Sequence, residues 1–247
     1  MRLFLDLTPR DAARGLAVDE ALLESARRGG EGAVRLWVSQ RAVIVGRSQA
    51  VSSECDMAAL RRLSIPVLRR VSGGGAVVHY PGNLNVSAVL ADGRRLGCAE
   101  GAFAWFVASM AAGLASLGAD IDVRERMLAI AGRKISGAAQ ARRGDAVLVH
   151  GTLLVWPDAI DMDSILTALR AGYAPLGTRS CPAATTTLSD ALGRPVSLSE
   201  AADAVLRGLA GEFPQPWGEG LMESSEKALA LELETTRYRS RAWNESR

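Results

Sequence analysis

The chain has 247 residues, 48% of them hydrophobic and 23% charged, a mix that suits a globular protein with a sizeable core. Its 29 Lys+Arg against 27 Asp+Glu leave a net charge of +2, too balanced for bulk binding to nucleic acid or another polyanion. No apolar run approaches the roughly 18–20 residues of a membrane span, and the N-terminal stretch lacks the apolar centre of a signal peptide, so a soluble, cytoplasmic protein is expected.

Asp11 to Arg28 reads as a helix, with Leu16, Leu22, Leu23 and Ala26 apolar and Gly29-Gly30 as the stop. Val34–Val38 and Ala42–Val45 read as strands joined in a hairpin by Ser39-Gln40-Arg41. Glu54–Leu63 reads as a helix, Ile65–Leu68 begins a strand, and Leu84–Leu90 alternates as another. Cys98–Leu117 is the longest apolar helix, and Ala146–Trp156 is a strand apolar on both faces. Asp163–Ala171, Ser199–Leu209 and Glu223–Glu234 read as helices. With neither repeats nor a linker, 1–247 reads as a single domain of α+β class, built on a mixed sheet with hairpins rather than βαβ units.

Three segments can carry chemistry. The first runs Arg69-Arg70-Val71-Ser72-Gly73-Gly74-Gly75-Ala76-Val77-Val78-His79. Three glycines without a Cβ let a ligand lie on the backbone amides, and two arginines beside them can neutralise phosphate or carboxylate. The spacing matches neither the dinucleotide fingerprint nor the phosphate loop, and a plain glycine-rich turn is the competing reading. The second segment surrounds Lys134, bracketed by Gly132 and Gly137 and one of only two lysines, the other being Lys227. Its compact ammonium suits a bridge between two small anions, against the default of a solvated surface charge. The third is Leu148-Val149-His150-Gly151-Thr152, which puts His150 and Thr152 on one strand face and Gly151 on the other. His150 is either a hydrogen-bonded core residue or a ligand contact. Cys55, Cys98 and Cys181 form no CxxC pair, and the histidine spacing suggests no metal site. Cys181, two residues after Arg179, is the thiol best placed for chemistry, with a small buried hydrophobe as the alternative.

These segments, in order, resemble the lipoate–protein ligase A family of the biotin/lipoate ligase and octanoyltransferase superfamily. The resemblance extends through Val45-Gly46-Arg47-Ser48-Gln49, Glu54-Cys55, Gly82-Asn83-Leu84-Asn85, Gly132-Arg133-Lys134-Ile135-Ser136-Gly137, His150-Gly151-Thr152-Leu153-Leu154 and the terminal Arg241-Ala242-Trp243-Asn244. It implies a mixed, largely antiparallel sheet flanked by helices, and an ATP-dependent ligase that forms lipoyl-AMP and passes the lipoyl group to a lysine of an acceptor. It also implies that Lys134 contacts the acyl carboxylate and the nucleotide phosphate. Arg70, Ser72, Gly73, Gly74, Gly75, Ala76, Val77, Val78 and His79 would embrace the acyl-adenylate, and Asn83, Gly137, His150, Gly151 and Thr152 would complete the site. ATP with Mg²⁺ would be required. The acceptor would be a lipoyl domain, a glycine-cleavage H protein or a dedicated lipoate-binding protein. Longer members carry a C-terminal accessory domain that is not expected here; some short members work with it as a separate subunit, and others are complete alone. The competing activity is octanoyl or lipoyl transfer through a Cys181 thioester without ATP. One departure is clear: Arg126-Met127-Leu128 puts a methionine where the family carries an acid. A lipoyl tail would also need an apolar slot, which the strands Leu84–Leu90 and Ala146–Val155 can line.

Overall fold

In the computed structural model, which describes residues 1–211 and 217–246, the chain opens with a parallel crossover. Strand β1 (Arg2–Arg10) leads through helix α1 (Ala12–Arg27) to β2 (Ala33–Ser39), which pairs with β1 in parallel. Asp11 starts α1 by accepting from the amides of Ala13 and Arg14, the usual N-cap device. The expected hairpin between β2 and the next strand, β3 (Ala42–Val45), does not form. Each joins a different sheet, because the full burial of both asks for neighbours on both faces. Helices α2 (Val51–Glu54) and α3 (Met57–Arg62) then carry the chain to β4 (Val67–Arg69), parallel to β3, and β5 (Val77–His79) adds antiparallel on the other side. Two βαβ-like crossovers therefore replace the expected hairpins, and Asp56 caps α3 where a single helix was read.

The large sheet continues through β6 (Asn83–Leu90), then across helix α4 (Ala99–Ala115) to β7 (Asp122–Arg124), β8 (Met127–Ile130), β9 (Arg133–Arg143) and β10 (Ala146–Leu154). After α5 (Leu188–Leu192) and α6 (Leu198–Ala210), β11 (Gly218–Glu219) returns to the edge, and α7 (Ser224–Leu233) and α8 (Arg241–Asn244) close the chain. The strand order is β11-β1-β2-β6-β10-β9-β8-β7, beside a three-stranded sheet β4-β3-β5. Among the described residues the parallel pairs of the large sheet are β1 with β2 and β1 with β11, and the other pairs are antiparallel, so the sheet is mixed and largely antiparallel. The stretch 163–171, read as a helix, holds only short 3₁₀ turns.

One face of the large sheet packs on α4 and α6 through Leu36, Val86, Leu84, Val149 and Leu153. The other receives α1 and, through Ile44, Leu68 and Val77, the small sheet. The apolar rows of β6 and β10 on the first face are covered by helices α4 and α6, so the face of these strands that remains for a ligand is the other one. On that face β6 and β10 carry the polar residues Asn83, Asn85, Ser87, His150 and Thr152, with Leu154 packed against Val43 and Val45 of the small sheet.

Candidate active site

Register builds the floor of the site. One row across the sheet runs Trp37, Asn85, Thr152, Gly137 and Met127; the next runs Arg35, Ser87, His150 and Ala139. Asp19 of α1 stands over the second row. Its carboxylate takes Arg35 at 2.5 Å and the Ser87 hydroxyl at 2.7 Å, and lies 3.9 Å from His150 Nδ1. His79 comes down from β5 edge-on to Trp37, with ring centroids 5.7 Å apart. Burial first, and then the charge of Arg70, holds both His79 and His150 neutral, with pKa values lowered to about 3.

The glycine loop spans this floor between β4 and β5. Arg69 is fully buried and donates to the carbonyls of Gly46, Gln49 and Asn244, while Asn244 Oδ1 accepts from its amide. It is a structural brace, which corrects the expectation that both arginines face a ligand. Trp243 donates to the Arg69 carbonyl and lies under Arg47 and Arg237, so the C-terminal motif locks β4 in place. Arg70 donates to Ser72 Oγ, to the Ile44 carbonyl, and to the carbonyls of Gly73 and Gly75. Among the described residues no carboxylate pairs with it, and burial lowers its pKa to about 10. Gly74 adopts φ +88°, a left-handed value that favours glycine. Among the described residues, the amides of Gly73, Gly74 and Gly75 donate to no protein acceptor.

Lys134 is the second residue of β9, just past a hairpin turn at Ala131-Gly132. Its half-buried ammonium has no ion-pair partner among the described residues, and burial lowers its pKa, with Arg70 adding to that and a thiolate at Cys181 opposing it. A segment approaching from 173–187 clamps the lysine's backbone. Lys134 N–H donates to Ala184 at 2.8 Å, and Thr186 N–H to the Lys134 carbonyl at 3.0 Å. The same segment reaches the glycine loop through Ser180 Oγ, which accepts from the Ala76 amide and from Gln49 and donates to buried Glu54 at 2.7 Å. Cys181 is exposed between these two anchor points, and Arg179 turns toward the ring of Tyr173.

The structure brings Arg70, Ser72, Gly73, Gly74, Gly75, His79, Gly137, His150, Thr152 and Lys134 to this one place, with Ala76 held by Ser180 at its edge. It does not bring the rest. Gly151 faces α4, where a Cβ would stand 3.2 Å from Phe106 and 2.7 Å from the Gly137 carbonyl. Val78 packs into the cluster beneath α3, and Val77 against α1. Asn83 Oδ1 caps the Tyr80 amide, leaving a buried Nδ2. Sequence reasoning missed Asp19 and Glu54 as parts of the site framework. For Asp19 the signal was an acid on the apolar stripe of α1 facing an arginine within an apolar strand. Met127 lies opposite Gly137, and among the described residues no three His, Cys, Asp or Glu side chains converge; a magnesium ion carried on nucleotide phosphates asks a protein for only one or two carboxylates.

Fold and sheet order define an α+β domain with a mixed, largely antiparallel sheet flanked by helices. The chain belongs to the lipoyl protein ligase A/B catalytic domain family, whose model matches residues 11–210. A relative from Aeropyrum pernix named for lipoate-protein ligase A is 40% identical over 144 residues, 58% of this chain and 53% of its own. Lipoate-protein ligase A subunit 1 of Thermoplasma acidophilum is 29% identical over 98% of this chain and 95% of its own. The octanoyltransferase LipM of Carboxydothermus hydrogenoformans is 25% identical over 97% of each. Among solved structures, a bi-partite lipoate protein ligase of T. acidophilum superposes with TM-score 0.84 at 28% identity, covering 99% of this chain and 95% of that one. Lipoate-protein ligase A bound with ATP gives 0.82 at 28% identity, covering 99% and 98%. The protein is thus an enzyme of the lipoate ligase and transferase family. Among the described residues no helix is long and apolar enough to cross a membrane.

Proposed function

We propose that the chain is an ATP-dependent lipoate–protein ligase. The observation that carries this reading is the pair of cations, Arg70 and Lys134, both withdrawn from water and, among the described residues, without a carboxylate partner, beside three amides that lack acceptors there. Burying such charges is costly unless an anion meets them, and the arrangement suits two anions held together. Lys134 would bridge the lipoate carboxylate and the α-phosphate of ATP. A carboxylate oxygen attacks the α-phosphorus, pyrophosphate leaves, and lipoyl-AMP remains on the glycine loop. An acceptor lysine amine then attacks the acyl carbon and AMP departs. Positioning and fixed positive charge do this work. The histidines, neutral and hydrogen-bonded or buried, serve as scaffold rather than as bases. Likeness to the bi-partite ligase, whose structure includes an E2 lipoyl domain, supports a lipoyl domain as acceptor and a separate accessory subunit. A glycine-cleavage H protein and a dedicated lipoate-binding protein fit the same chemistry. The test is pyrophosphate release from ATP and Mg²⁺ with lipoate, octanoate or biotin in the absence of acceptor; release with lipoate supports the reading, and transfer from octanoyl-carrier protein without ATP refutes it.

One observation favours a second reading. Cys181 lies exposed between the contacts to the glycine loop and to Lys134, where its thiolate could attack an acyl thioester and the Lys134 ammonium could steady the resulting charge. Likeness to an octanoyltransferase supports this alternative, in which no ATP is consumed.

A further inference from the structure

Four N–H groups of the Arg70 guanidinium are already bonded to this chain, out of five that an arginine carries. Its partners explain the shape of the loop. In a trans peptide the C=O and the following N–H point opposite ways. With the Gly73 carbonyl drawn to Arg70 at 2.5 Å, the Gly74 N–H is turned away from it. With the Gly75 carbonyl drawn in at 2.9 Å, the Ala76 N–H is turned out toward Ser180. Arg70 therefore decides which face of the loop presents donors.

Arg70 is itself held from behind. Its Nε donates to Ser72 Oγ at 3.0 Å, and Ser72 Oγ lies 2.6 Å from His150 Nε2. Ser72 Oγ accepts from Arg70, so its own proton is free to go to His150 Nε2. That requires the ring proton on Nδ1, the nitrogen facing Asp19 Oδ2 at 3.9 Å, an electrostatic rather than a hydrogen-bond distance. Asp19 is fixed by Arg35 and Ser87, the two cross-strand neighbours in the His150 row.

We propose that Ser72 and His150 are positioning residues rather than ligand contacts: backed by Asp19, they form a relay that fixes the plane of the Arg70 guanidinium and, through it, the direction of the glycine-loop peptides. The inference rests on the reading that Arg70 and this loop hold an anionic ligand. It assigns the neutral Nδ1–H tautomer to His150, and it makes the hydroxyl of Ser72 matter only while the guanidinium is present.

The test is calorimetric binding of lipoate, an anion, and of lipoamide, its neutral counterpart, to the full chain and its variants. Ser72→Ala and His150→Leu should weaken lipoate by about ten-fold, the scale of one lost hydrogen bond, and leave lipoamide unchanged. Ser72→Thr keeps the hydroxyl, and His150→Gln keeps an acceptor at the Nε2 position, so both should stay near wild type. In an Arg70→Lys background Ser72→Ala should cost nothing more. Unchanged lipoate binding in Ser72→Ala overturns the relay, as does an equal loss in the Arg70→Lys background, which would mean direct contact. If wild type binds lipoate no more tightly than lipoamide, the anion reading itself has failed. Nitrogen NMR of the wild-type histidines needs no variant to fold: a neutral Nε2–H tautomer at His150 overturns the proposal, and Nδ1–H sustains it.

Discussion

The side chain of Lys134 folds back over Gly137, so closely that a Cβ at that glycine would stand 2.9 Å from both Cε and Nζ. The sequence placed a glycine three residues after the lysine, and the structure shows that the absent side chain is where the ammonium rests. Gly137 is not in the left-handed region, so alanine is acceptable to its backbone and the conflict falls on the mobile end of the lysine. Gly137→Ala should therefore lower turnover by about 10²-fold, as displacement of a reacting group by an ångström does, with little change in melting temperature. Kinetics beside a thermal melt checks this; equal loss of stability and activity would mean that the glycine serves packing.

Neighbouring glycines of the loop should separate in the same way. A Cβ at Gly73 meets nothing within 4 Å, whereas Gly74 has φ +88° and a Cβ there would stand only 3.0 Å from Arg70 Nη2. Gly73→Ala should fold normally and raise the KM for ATP or lipoate by intruding on ligand space. Gly74→Ala should cost about 1–2 kcal/mol of stability from the left-handed backbone alone. Denaturant titrations and initial rates on both variants measure the difference.

Acid sensitivity follows from the two histidines, the only ones in the chain. Their folded pKa values lie near 3 against an ordinary 6.5, so between those limits the unfolded chain binds more protons. Stability is full above about pH 6.5 and is lost as pH falls toward 3. With both rings contributing, the slope approaches about 2.7 kcal/mol per pH unit. Urea titrations between pH 7 and 5, above the range where carboxylates titrate, should show the decline, and His79→Gln should roughly halve the slope. A flat profile would place the rings in contact with water.

The thiol separates the two enzymatic readings. An adenylate-forming ligase needs no cysteine, so Cys181→Ser should retain nearly full lipoyl transfer, the side chain being exposed. A thioester mechanism would lose essentially all activity, because serine without an activating base is a far weaker nucleophile. Mass spectrometry after exposure to octanoyl-carrier protein supplies the complementary reading: an octanoyl adduct on Cys181 contradicts the ligase.

Much of the frame was legible in the chain. Strong periodicity revealed α1, α4, α6 and α7, and the burial of β6 and β10. Partners were less legible, since the apolar, β-branched runs Val34–Val38 and Ala42–Val45 say that each is a strand but not that they enter different sheets. Strand β9 escaped because Ser136, Gly137, Gln140, Arg142 and Arg143 break the apolar pattern, and of these Gly137 is the position that leaves room for the Lys134 side chain. The glycine loop, Lys134 and His150 stood out as rare residues in unusual settings. The direction of each side chain did not. Arg69 and Arg70 are adjacent and look alike in sequence, yet one braces the C-terminal helix and the other shapes the loop, because consecutive residues leaving a strand turn to opposite sides.

The central claim is that Lys134 holds a carboxylate and a phosphate together for adenylate formation. Acceptor-free pyrophosphate release, measured with ATP and lipoate on wild type and on Lys134→Arg, tests it most directly. Guanidinium keeps the charge but is planar and wide, and cannot occupy the space of an ammonium folded over Gly137. The expected result is lipoate-dependent release by the wild type and a loss of at least about two orders of magnitude in the variant. Normal release by Lys134→Arg would contradict the account, for it would show that the lysine supplies only a positive charge.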